Sequence, residues 1–67
     1  MNDEIRTLFK RLKSERIRQG KSQEQIAESM GIDRSAVSKM EAGRNISLNR
    51  TIEYATALGI KLIIEKS

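Results

Sequence analysis

Four glycines constrain this chain more than any other residues in it. Gly20, Gly31, Gly43 and Gly59 each follow an apolar pattern, and there is no proline. A helix commonly ends where the backbone turns left-handed, a conformation glycine adopts without steric cost. The stops therefore divide the chain into short helical segments. The first carries Ile5, Leu8, Phe9, Leu12 and Ile17, a spacing that predicts one face of a helix. Asn2 or Asp3 is suited to cap its start, and Arg16 and Arg18 to its last turn.

The second segment opens Ser22-Gln23-Glu24-Gln25. Ser followed three residues later by Gln is a capping box. Ile26, Ala27 and Met30 are its expected inner face. After Gly31 a third helix restarts, with Ile32 of buried type, Asp33 as N-cap and Val37 and Met40 as the inward pair. Ser47 is the expected cap of a fourth helix whose inner face reads Leu48, Ile52, Ala55 and Leu58.

The tail changes period. Residues 60–65 are rich in β-branched residues and roughly alternate, which predicts a short strand. A lone strand exposes unpaired N–H and C=O groups. The simplest partner is the same strand of a second copy, through Ile60, Leu62, Ile63 and Ile64. The alternative is that the fourth helix runs on. Size favours association: below about 70–80 residues a single core rarely suffices, and small domains add disulfides, metals or subunits. With no Cys and no His among 67 residues, association is the remedy left.

Those absences also bound the chemistry. Zinc and Fe–S sites, thiol nucleophiles and imidazole bases are excluded, so no metal or cofactor is expected. Ser, Lys, Asp and Glu leave catalysis formally open, but no nucleophile–base arrangement is visible, so no enzymatic activity is expected. No apolar run nears the roughly 18 residues of a membrane span, and no signal-peptide core is present, so a cytoplasmic, nucleoid-associated location is expected. Thirteen Lys and Arg against nine Asp and Glu leave a net charge of +4. A basic balance attracts polyanions.

The single domain spans residues 1–67, and its informative stretch is residues 22–42, extended to Asn45. Two short helices are separated by three or four residues around a glycine, which is a helix-turn-helix layout. Ala27 stands where the helices would approach most closely, and Gly31 at the turn. The outward face of the second helix carries Arg34, Ser35, Ser38 and Lys39, donors suited to base edges and phosphates. Arg34 fits a bidentate contact with guanine, or else a phosphate. Ser35 and Ser38 fit either readers or solvated caps.

In combination these features resemble the lambda-repressor-like (XRE/Cro) helix-turn-helix family, over residues 5–59. Gln at the start of the first motif helix, Ala five positions in, Gly at the ninth and the later Glu-x-Gly all stand in register. The resemblance implies a bundle whose third helix lies in the DNA major groove. It implies that Gln23, with Ser22 at the same helix start, holds a DNA phosphate, as helix N-termini favour. It implies that Arg44 and Asn45 grip the backbone and that Arg16 and Glu41 form a buried structural ion pair. The ending, Ser47 to Ile64, resembles small DNA-binding antitoxins of the HipB and HigA kind. The expected fold is thus mainly α: a lambda-repressor-like four-helix bundle closed by a C-terminal strand across a homodimer. The expected function is a repressor of double-stranded DNA operators with inverted repeats. The alternative is an antitoxin that also binds a toxin protein.

Overall fold

The computed structural model describes residues 3–63. Four helices follow in order: α1 (Asp3–Arg18), α2 (Gln23–Met30), α3 (Arg34–Glu41) and α4 (Leu48–Ala57). α2 packs against α3 and α4, and α1 packs against the same two helices. The core at their junction is Phe9, Leu12, Ile26, Ala27, Val37, Met40, Tyr54, Ala55 and Leu58. The rings of Phe9 and Tyr54 meet at its centre, 4.6 Å apart and tilted by 57°. Tilted pairs at such distances gain about 0.5–1.5 kcal/mol beyond the area they bury.

The helix ends follow the predicted punctuation. At α2 the capping box is complete: Ser22 Oγ accepts from the Gln25 amide at 3.1 Å, and Gln25 Oε1 accepts from the Ser22 amide at 2.7 Å. Gly31 then takes φ +69°. That turn lets the Ile32 amide donate to Ala27 O at 3.0 Å, which satisfies a carbonyl the helix would leave open. The same closure ends α3 at Gly43, where the Arg44 amide donates to Lys39 O at 2.8 Å. Ser47 Oγ caps α4 by accepting from the Arg50 amide at 3.1 Å. Two side chains from the α1–α2 connection finish the far end of α4. Gln19 Nε2 donates to Leu58 O and Lys21 Nζ to Ala57 O.

Three expectations are corrected and one, the Asp33 cap, is qualified. Ile17 is 59% exposed, and Arg16 is buried in its place. At about 100° per residue, Arg16 falls on the Phe9–Leu12 stripe, whereas Ile17 lies about 140° from Leu12. The inner face of α4 is Thr51, Tyr54, Ala55 and Leu58, while Leu48 is 51% exposed. Thr51 and Tyr54 can enter the core because each hydroxyl has a partner; Thr51 donates to Ser47 O at 2.8 Å. Asp33 occupies the N-cap of α3, but its side chain makes no cap bond, and only its backbone carbonyl receives the first amides.

The remaining correction is the tail. Residues 60–63 form no strand, and no strand occurs among the described residues. A ladder needs a second strand, and the helices of this chain supply none. The Ile60 amide instead donates to Ala55 O at 2.9 Å and closes α4, so the helix does not run on either. Ile60 and Leu62 pack against the core, while Ile63 is 70% exposed. The cap expected from Asn2 or the Asp3 side chain lies outside the described residues, as do Ile64 and Glu65.

Candidate nucleic-acid interface

The interface rests on one carboxylate. Glu41, the last residue of α3, accepts from Arg16 Nε at 2.7 Å and Arg16 Nη2 at 3.1 Å. It also accepts from Gln23 Nε2 at 3.0 Å and the Tyr54 hydroxyl at 2.6 Å. Each of the other three helices therefore sends one side chain to α3. Arg16 Nη1 turns to Lys21 O at 2.7 Å, so the guanidinium also holds the α1–α2 connection. The Glu41 side chain is only 2% exposed and that of Arg16 only 11%. No buried side-chain nitrogen or oxygen among the described residues lacks a partner.

Charge and solvation compete in this cluster. Burial alone would raise the Glu41 carboxyl, but the hydrogen bonds from Arg16, Tyr54 and Gln23, with the Arg16 charge, hold it below its ordinary value. Burial pulls Arg16 down, and its bond and attraction to Glu41 outweigh that and raise it. Burial, then the bond to Glu41 and its negative charge, push the Tyr54 hydroxyl well up. The cluster is held as carboxylate, guanidinium and neutral phenol.

The expected ion pair of Arg16 and Glu41 is thus in place, with two further members. Tyr54 is the member sequence reasoning missed. Its signal was its position: it stands three residues after Thr51 and one before Ala55, on the face α4 buries. Gln23 carries a bond its predicted phosphate role did not include. Its amide nitrogen is engaged by Glu41, which fixes the side chain at the first residue of α2. The bond also puts the start of α2 beside the end of α3. The Gly43–Asn45 turn follows at once, so Gln23 and the Arg44–Asn45 pair share one end of the motif.

α3 presents two faces. Val37 and Met40 are buried, and Arg34, Ser35, Ser38 and Lys39 are all exposed. Arg34 and Ser38, like Ser35 and Lys39, are four residues apart and so stack along the outer surface. No ion pair to Arg34 or Lys39 occurs among the described residues. Arg44 and Asn45 are exposed on the turn that follows. Asn45 has φ +54°, a left-handed conformation Asn tolerates better than most residues. The Ser22 side chain is exposed and its oxygen is used as the cap.

No helix among the described residues is long and apolar enough to cross a membrane. No group of three or more acidic, His or Cys residues able to hold a metal occurs among them. α3 is a short helix with a polar, cationic outer face and a last residue, Glu41, bonded to the other three helices.

Comparison with known proteins agrees with that geometry. The family model described as Helix-turn-helix matches residues 12–64, well over half of the chain. No curated protein and no solved structure matches it. The matched span contains α2, α3, α4 and the Arg16–Glu41 pair. The chain belongs to the lambda-repressor-like helix-turn-helix family of DNA-binding transcription regulators.

Proposed function

We propose that the chain is a repressor that reads an inverted-repeat operator as a homodimer, with α3 in the major groove of each half-site. The observation that carries this reading is the outer face of α3. Arg34, Ser35, Ser38 and Lys39 are exposed together while Val37 and Met40 anchor the helix. Arg and Lys suit guanine O6 and N7, and Ser suits several base edges. Gln23, Arg44 and Asn45 lie at one end of the motif, where phosphate contacts would fix its register. Association through the tail is part of this reading; Ile63 is exposed there, as Ile17 and Leu48 are elsewhere on the surface. The antitoxin reading draws on the same tail and would add a protein partner to the DNA function.

Selection of bound DNA from a random pool tests the reading. The expected product is an inverted repeat whose half-sites lie about one helical turn, ~34 Å, apart. Sedimentation of the free protein should show a dimer, with Ile63→Glu monomeric. A pool with no enriched sequence would overturn the operator reading. A single unrepeated site, with a monomer in sedimentation, would overturn the dimer.

A further inference from the structure

Beside the recognition face, α1 and the turn after α3 enclose a cleft of about 430 Å³. Its walls are Arg6, Thr7 and Lys10 from α1, and Gly43 and Arg44 from the turn. Phe9 and Met40, both core residues, form its floor. Arg6, Lys10 and Arg44 are exposed, and no ion pair to any of them occurs among the described residues. Three like charges in one concavity repel one another and focus an attractive field for an anion.

We infer that this cleft binds a backbone phosphate of DNA flanking the half-site, with Arg6 and Lys10 as its donors. The inference rests on the DNA-binding reading and extends its footprint onto α1. Two features favour a DNA phosphate. The cleft shares Arg44 with the turn assigned to backbone contact, so it continues that track without a gap. It is also open to one side, as a passing strand requires, rather than closed over a small molecule. The Arg6 side chain lies across the turn: a Cβ added at Gly43 would meet its Nε at 3.6 Å and its Cδ at 3.9 Å. These are ordinary van der Waals separations, so the Arg6 side chain rests close against the turn. Glu41 also borders the cleft. Its two oxygens are occupied by Arg16, Gln23 and Tyr54, so its charge is compensated within the core.

The test compares the salt dependence of binding to a selected site with flanking duplex. Arg6→Gln with Lys10→Gln removes the two donors; both are exposed, and the core is untouched. Arg11→Gln with Arg18→Gln removes equal charge elsewhere on α1, from residues that are also exposed. Each neutralised phosphate contributes roughly 0.9 to the log–log slope. The cleft pair should make the slope shallower by about one and leave base preference unchanged. The control pair should shift it much less. Equal effects from the two pairs, or none from the cleft pair, overturn the inference and leave the DNA-binding reading standing. A wild-type protein that binds no selected site overturns both. Titration with inorganic phosphate, followed at the Gly43 and Arg44 amides, separates the two sources of phosphate. Binding there with an unchanged DNA slope would make the ligand a free anion and overturn the assignment to DNA.

Discussion

The Tyr54 hydroxyl donates to Glu41 Oε2 at 2.6 Å, and that bond ties α4 to the end of α3. The same Tyr54 ring packs, tilted, against Phe9 of α1. One side chain thus serves the apolar centre of the bundle and its polar cluster. The polar cluster sets where α3 ends, and so where its outer face points.

Tyr54→Phe keeps the ring and removes the donor. A hydrogen bond to a charged group contributes about 1.5–3 kcal/mol, and Glu41 would be left one partner short in a buried site. The variant should be less stable by that amount, read as a lower urea midpoint with an unchanged m-value. An unshifted midpoint would show that Arg16 and Gln23 alone satisfy the carboxylate.

Acid and alkali should attack the cluster through different members. Glu41 is depressed in the folded state, so its contribution is present above the unfolded carboxylate value, about 4.3. It is lost as pH falls through the lower folded value. Tyr54 is raised, so its contribution is complete below the unfolded phenol value, about 10. It is lost as pH rises towards the folded value. No histidine titrates between these limits. Urea midpoints should therefore form a plateau with two falling limbs. Glu41→Gln should flatten the acid limb and Tyr54→Phe the alkaline one. An acid limb unchanged in Glu41→Gln would assign acid unfolding to other carboxylates.

Which of these features the sequence disclosed follows from how each is encoded. Glycine stops, the Ser22–Gln25 box and the Ser47 cap are local, so four helices and the turn between α2 and α3 were legible. The outward face of α3 was legible because Val37 and Met40 fix its inward side. The α4 face was misplaced because Thr51 and Tyr54 become core residues only through partners elsewhere, Ser47 O for one and Glu41 for the other. Apolarity alone pointed to Leu48 and Ile52. Ile17 misled for the opposite reason: it is apolar but off the stripe. The Arg16–Glu41 pair spans 25 residues and came only from the family resemblance. The strand over residues 60–65 was an inference about pairing, and pairing is a property of two chains.

Gly31 offers a clean test of backbone conformation. A Cβ there would meet nothing within 4 Å, so crowding is no obstacle. The cost of Gly31→Ala is the left-handed φ of +69° alone, about 1–2 kcal/mol. Gly31→Asn should cost less, since Asn visits that region more readily. Thermal unfolding of the two variants checks the order. Equal and negligible losses would mean that the α2–α3 turn relaxes into another conformation, and DNA binding should then weaken in both.

Arg34 is the first residue of α3, exposed, with no ion pair among the described residues. Its removal leaves the Glu41 cluster and the core intact, so Arg34→Ala should fold with unchanged stability. As a base reader it should lose about 1–3 kcal/mol of specific binding and relax preference at one position of each half-site. As a phosphate contact it would weaken all sequences alike and reduce the salt slope by about one. Binding isotherms on the selected site and on single-base variants distinguish the two. Uniform loss across the variants would move Arg34 from the readers to the backbone contacts and leave Ser35, Ser38 and Lys39 to carry specificity.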